Sequence, residues 1–174
     1  MCSSDLNGNG LDPDAVEIET VAVEGSRPRG ARFGSLVHAM LASIRLDDAA
    51  AAIGAMAALH GRLLGATPEE VAAATRTVER ALGHPVMRRA AAAAVSGTCR
   101  REARILHRRD DGTVVEAVCD LAFLEPDGTW TVVDFKTDFE LEGQLERYRR
   151  QLELYREAIE AATGAAARAL LLRI

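Results

Sequence analysis

The 174-residue chain is short of lysine. Of its 21 basic residues only Lys136 is a lysine, against 20 arginines. Alanine is abundant as well, the pairing expected of a GC-rich genome that drifts toward arginine wherever positive charge alone is needed. A lone lysine raises the question of why arginine would not serve there. Its compact ammonium has a tunable pKa that a planar guanidinium cannot match, although survival by chance on a solvated surface explains it equally well at this point. Cysteine is also scarce. Cys2, Cys99 and Cys119 are odd in number and widely spaced, which excludes a disulfide framework and CxxC metal spacing and points to a reducing, cytoplasmic setting. No apolar run is long enough to span a bilayer. Residues 1–20 have neither the basic start nor the apolar stretch of a signal peptide. A phosphate loop of the form GxxxxGK(S/T) is missing too, so ATP hydrolysis is not expected of this chain. The net charge of −5 argues weakly against binding nucleic acid by bulk charge.

What remains is an ordinary soluble composition, 48% hydrophobic and 27% charged. This length suits one domain that buries about 70% of its unfolded surface. Residues 1–29 read as a disordered or linker segment, because the first 26 lack periodicity and mix Asn, Gly, Asp and Glu. Residues 30–174 form the domain. Phe33, Leu36, Val37, Met40, Leu41 and Ile44 fall at helical spacing, with His38 among them. The alanine-rich stretch 49–94 reads as two or three packed helices, with Thr67 capping a helix that has Pro68 in its first turn. After Gly97 the period changes to strands over 101–107, 113–124 and 129–135. A long amphipathic helix is expected over 141–163, stopped by Gly164, and a last strand over 169–174. A strand–helix–strand unit at the end implies a parallel crossover.

Pro126-Asp127-Gly128 is turn chemistry. A three-residue loop centred on Asp127 sets Leu124 against Trp130, Ala122 against Val132, and Asp120 against Asp134. Opposed side chains share a face about 5 Å apart, and Lys136, two residues on, shares it with Asp134; Phe135 turns to the core. Two carboxylates and a lysine suit a hard divalent cation and the hydrolysis of a phosphodiester. A surface hairpin with a salt bridge remains the plain alternative.

Asp120…Asp134-Phe135-Lys136 resembles the PD-(D/E)XK nuclease signature. The chain is similar in particular to the C-terminal nuclease domain of RecB- and AddA-type helicase–nucleases. The matching segments occur in family order over about residues 30–174: Gly34-Ser35-Leu36-Val37-His38, then Glu102, Asp120-Leu121, Val133-Asp134-Phe135-Lys136-Thr137-Asp138, and Gln151-Leu152-Glu153-Leu154-Tyr155. Ala117 stands where the family usually has glycine, and Cys119 where an aliphatic residue is commoner. The lack of a cysteine cluster separates the chain from the family's iron–sulfur members.

The resemblance implies an α/β restriction-endonuclease-like core, a mixed central sheet flanked by helices, with an N-terminal helical segment. It implies His38, Asp120, Asp134 and the Phe135 carbonyl as ligands of Mg²⁺ or Mn²⁺. Lys136 would be the catalytic lysine, Glu102 an accessory acid, and Gln151 and Tyr155 a pair that orients site and strand. The bland alternatives are a packed His38, a salt-bridged Glu102 among Arg100, Arg101 and Arg104, and a core Tyr155. Arg147, Arg149, Arg150 and Arg156 either contact phosphates or line a solvated helix face. The expected activity is metal-dependent, exonucleolytic DNA hydrolysis at a processed single-stranded end. The expected setting is double-strand-break repair and recombination. The expected partners are a fused UvrD-like helicase and a second helicase–nuclease subunit. An inactive module of the same fold and a stand-alone exonuclease are the rivals.

Overall fold

A computed structural model describes residues 16–22, 28–109, 112–137 and 144–174. Its strands are β1 (Val16–Thr20), β2 (Cys99–Arg108), β3 (Val114–Leu124), β4 (Trp130–Lys136) and β5 (Ala167–Arg173). The helices are α1 (Ala31–Ser43), α2 (Ala50–Leu64), α3 (Pro68–Gly83), α4 (Pro85–Val95) and α5 (Leu145–Thr163). The alanine-rich stretch is thus three helices. Residues 141–143, expected to open the long helix, lie outside the described residues, as does Asp138.

The strands form one mixed sheet in the order β1-β5-β4-β3-β2. The pairs β2–β3 and β3–β4 are antiparallel, and β4–β5 and β5–β1 are parallel. The expected crossover is β4–α5–β5. Period-2 alternation divides the sheet between two cores. Leu121, Phe123, Val133, Phe135, Leu170 and Leu172 face the layer α1–α4, where Leu36, Val37, Met40 and Met87 are fully enclosed. Ala122, Val132, Ala169 and Leu171 face α5 and meet Tyr148, Leu152, Tyr155 and Ala158.

Thr67 caps α3 as expected, in a full capping box. Its hydroxyl accepts from Glu70 N–H at 3.3 Å, and Glu70 Oε2 accepts from Thr67 N–H at 2.8 Å. The same carboxylate takes Arg32 Nε at 3.0 Å, which ties the start of α3 to the first turn of α1.

The amino-terminal segment corrects the linker reading. Val16–Thr20 is strand β1, which adds to the free edge of β5 with Val16 opposite Ala169 and Thr20 opposite Arg173. The pentapeptide VEIET has only two apolar residues, and Ile18 is 40% exposed. Its strand conformation comes from backbone partners some 150 residues away, which a local pattern does not register.

Candidate active site

The loop between β3 and β4 sets the register. Gly128 N–H donates to Glu125 O at 3.0 Å, Glu125 N–H to Thr129 O at 2.8 Å, and Thr129 N–H to Asp127 Oδ1 at 2.9 Å. Gly128 has φ of +84°, the left-handed step that closes a three-residue hairpin loop and that a side chain would strain. Leu124 therefore pairs with Trp130, Ala122 with Val132 and Leu121 with Val133, as expected. The ladder stops there, one step before Asp120 would meet Asp134.

At that point Asp120 Oδ2 accepts the N–H of Phe135 at 2.7 Å. A carboxylate thus replaces the backbone partner, and the two strands part around it. A second irregularity lies on the other side of β3. Glu102 on β2 has φ of +47°, and the β2–β3 ladder skips the step where it would pair with Asp120. The ribbon turns over here. Arg101 reaches Leu41 O and Ile44 O of the α1 layer, whereas Ala103, Ile105, Ala117 and Cys119 belong to the α5 core. Strict alternation, which would put Arg101 and Ala103 on one face, fails at Glu102.

Helix α1 brings His38 from the other layer. Its Nδ1 lies 3.4 Å from Asp120 Oδ1, and its ring meets Phe135 edge-on at 6.3 Å. The approach needs Gly34, since a Cβ there would sit 2.9 Å from Thr137 Oγ1 at the end of β4. Asp134, 3% exposed, has Oδ2 only 2.6 Å from Lys136 Nζ. That ammonium lies off the hydrogen-bond line, so this buried oxygen has no directional hydrogen bond. Lys136 Nζ also lies 4.8 Å above the ring of Tyr148, whose hydroxyl donates to Gln144 Oε1 at 3.1 Å.

Burial and then Asp120 set the electrostatics. Burial pushes the Asp134 carboxyl up, the charge of Asp120 pushes it further, and Lys136 pulls it partly back. Glu102 is raised by burial and then by Asp120. Burial pulls His38 down, but its hydrogen bond to Asp120 and the charge of that carboxylate outweigh this, and the imidazole is raised overall. The Cys119 thiol is pushed up to about 12, first by burial, and is inert as a nucleophile.

The candidate residues therefore gather around one point, but not as a finished ligand cage. Among the described residues no three His, Cys, Asp or Glu side chains converge at metal-binding distance. The structure holds two pairs, His38–Asp120 and Lys136–Asp134. The donor set still fits a hard divalent ion: two carboxylates, an imidazole and the spare lone pairs of Asp134 Oδ2. Glu102 is exposed and, among the described residues, makes no salt bridge to its arginine neighbours, since Arg100 and Arg101 bond to backbone carbonyls. Gln151 Nε2 donates to Tyr155 OH, which donates to Val118 O at 3.0 Å. That pair clamps α5 to β3 two residues before Asp120, with the Tyr155 ring in the core. Of the four helix arginines, Arg150 pairs with Glu146 and Arg156 with Glu160. The ring of Tyr148 under Lys136 is a further element of the site, one the sequence reading did not single out. The visible signal was its position two helical turns before Tyr155.

Comparison with known proteins gives the family. The family model of the PD-(D/E)XK nuclease superfamily matches residues 15–174. An ATP-dependent helicase/nuclease subunit of Thermoanaerobacter sp. (strain X514) is 43% identical over 54 residues, 29% of this chain and 4% of that protein. The corresponding protein of Thermoanaerobacter pseudethanolicus (strain ATCC 33223 / 39E) gives the same figures. The chain thus matches only about 4% of the length of these relatives.

Proposed function

The chain belongs to the PD-(D/E)XK nuclease superfamily, and from that premise we propose that it hydrolyses DNA phosphodiester bonds with Mg²⁺ or Mn²⁺, acting exonucleolytically on a single strand. We further propose that it works as the nuclease part of a cytoplasmic helicase–nuclease that processes double-strand breaks, beside a UvrD-like helicase and a second subunit. The observation that carries the catalytic reading is the parting of β3 and β4 at Asp120, which leaves Asp120, Asp134 and Lys136 at one opening of the sheet. The likeness of 54 residues to a helicase/nuclease protein supports the helicase setting.

Asp120, Asp134, His38 and the Phe135 carbonyl would hold the cation. When bound, it supplies positive charge to the scissile phosphate and acidifies water. Lys136, fixed between Asp134 and the Tyr148 ring, orients the attacking water; its ammonium would give a proton to the leaving oxygen and regain one from the water. Glu102, at the exposed rim, holds waters at the entrance. The water oxygen forms the new bond to phosphorus, the bond to the leaving sugar oxygen breaks, and that oxygen takes up a proton. Tyr155 and Gln151 fix α5 and so the depth at which Tyr148 supports Lys136.

The test is cleavage of a labelled DNA single strand with Mg²⁺, with and without EDTA, by the wild type and by Asp134→Asn. Cleavage that needs the metal and is lost in the variant is expected. Cleavage that survives EDTA or the variant overturns the site assignment, and no cleavage under any condition favours an inactive module.

A further inference from the structure

Beyond the kink at Glu102 and Asp120, the β2–β3 ribbon has one covered and one bare face. Ala103, Ile105, Ala117 and Cys119 pack on α5. The opposite face carries Arg104, Leu106 and Arg108 from β2, set in register against Val118, Glu116 and Val114 of β3. Leu106 is 76% exposed, Val114 59% and Val118 45%. Large aliphatic side chains clustered in water are uncommon on a face without a binding role. Arg104 and Arg108 are exposed, and neither has an ion-pair partner among the described residues. The same face begins at Glu102 and Asp120, so it runs without a break from the candidate active site.

We propose that this face is the track for the substrate strand, resting on the nuclease reading above: a single strand of DNA lies along the ribbon, with Arg104 and Arg108 on its phosphates and Leu106, Val114 and Val118 beneath its bases. Local charge points to the occupant. The chain as a whole is at −5, yet beyond the carboxylates of Glu102 and Asp120 at its head this face offers two guanidiniums, without ion pairs among the described residues, against the carboxylate of Glu116. Four strand residues separate the arginines by about 13 Å, which spans non-adjacent phosphates of an extended strand. In a duplex groove the ribbon would meet base edges, whose hydrogen-bonding groups Leu106, Val114 and Val118 cannot pair. A single strand presents its base faces to apolar side chains and its phosphates to the arginines at once. Aliphatic rather than aromatic contacts imply weak sequence preference.

The experiment measures fluorescence anisotropy of fluorescein-labelled oligothymidylate with the full chain in EDTA, across a salt series. Arg104→Ala/Arg108→Ala is expected to weaken binding at least tenfold at low salt. It should flatten the slope of log K against log salt by about 1.4, about 0.7 for each lost phosphate contact on a single strand. Leu106→Ser should weaken binding without altering the slope, and Glu116→Gln should tighten it. Circular dichroism verifies that each variant is folded. A double variant within twofold of wild type, with the slope unchanged, overturns the track. So does a Leu106→Ser variant whose one effect is on oligomeric state, which would make the face a protein interface. If wild type cleaves with Mg²⁺ while the arginine variant keeps its KM and salt slope, the track falls and the nuclease reading stands. If wild type neither binds the strand nor cleaves it, both fall.

Discussion

Replacing Lys136 with methionine isolates the electrostatics of the site. The substitution keeps an unbranched side chain of similar length and removes the charge 2.6 Å from Asp134 Oδ2. At an effective dielectric near 20, unit charges at that distance attract by about 6 kcal/mol. Part of this attraction offsets the cost of keeping both groups out of water, since their side chains are only 17% and 5% exposed. Stranding one buried partner costs about 3–5 kcal/mol in general. We expect about 3 kcal/mol here, because water reaches the rim of the site. The loss depends on pH. Asp134 already has a raised carboxyl pKa, through burial and then the charge of Asp120. Its ionised form therefore costs stability above the unfolded value of about 3.9, and removing Lys136 raises the folded pKa further. Variant and wild type should match in stability once Asp134 is protonated in both the folded and unfolded chain. They should diverge as pH rises through the wild-type folded pKa, and differ by a constant amount above that of the variant. Mg²⁺, if held by the same carboxylates, should restore more stability to the variant than it adds to wild type, because it takes over the lysine's charge. Urea unfolding of both proteins from pH 4 to pH 8, with and without Mg²⁺, measures all of this. A variant as stable as wild type at pH 7, with no pH-dependent difference, refutes the claim that this pair is buried and coupled.

Lys136→Arg should fold and still bind Mg²⁺ yet cleave at least about a hundredfold more slowly, since a positioned proton-transfer group contributes on the order of 10²–10⁴ in rate; single-turnover cleavage at matched Mg²⁺ decides, and a rate within a few-fold of wild type reduces Lys136 to a charge. His38→Ala should remove an imidazole whose raised pKa adds stability below its unfolded value, an increment that fades as pH rises through the folded one; thermal melts at pH 5 and pH 8 should therefore differ more between variant and wild type at the lower pH. Thr67→Ala breaks half of the capping box and should cost about 1 kcal/mol in urea unfolding without affecting cleavage. Gly34→Ala sets a methyl 2.9 Å from Thr137 Oγ1, so it should lower cleavage by moving α1, and Thr137→Ala in the same chain should recover most of the loss.

Where local chemistry sets the geometry, the sequence was explicit. Pro126-Asp127-Gly128 fixed a loop of three residues, and the pairing of Leu124 with Trp130 follows from that count. Thr67 followed by Pro68 and Glu70 specified a helix start through hydrogen bonds within four residues. The two cores on either side of β4 and β5 were not legible, because both strands are covered on each face and read as continuous apolar runs. Strand β1 was illegible for the opposite reason: its hydrogen bonds come from β5, and its composition is that of a polar linker. The ordered set of residues around Asp120 was legible through a family pattern, whereas the division into a His38–Asp120 pair and a Lys136–Asp134 pair, and the Tyr148 ring beneath the lysine, required three dimensions.

The kink at Glu102 links these observations. A period-2 reading of β2 and β3 assigns each residue one face for the whole strand. Cys99, Arg101, Leu121 and Phe123 face the α1–α4 layer while Ala122 faces α5, but past the kink Ala103, Ile105, Ala117 and Cys119, of the same parity as the first set, face α5. A strand cannot change cores while its alternation persists, so one residue must leave extended geometry, and Glu102 does so with φ of +47°. Positive φ at a residue with a side chain costs on the order of 1 kcal/mol and persists only where surrounding contacts demand it. The step places Glu102 and Asp120 at the point where neither core covers the sheet. Glu102 there is exposed, whereas the Asp120 side chain is 15% exposed and accepts the Phe135 N–H. The same turnover leaves the rest of the ribbon bare on the face that leads away from Asp120. One backbone irregularity thus accounts for an opening at which Glu102, its carboxyl raised by burial and by Asp120, reaches solvent, and for the exposed surface that adjoins it.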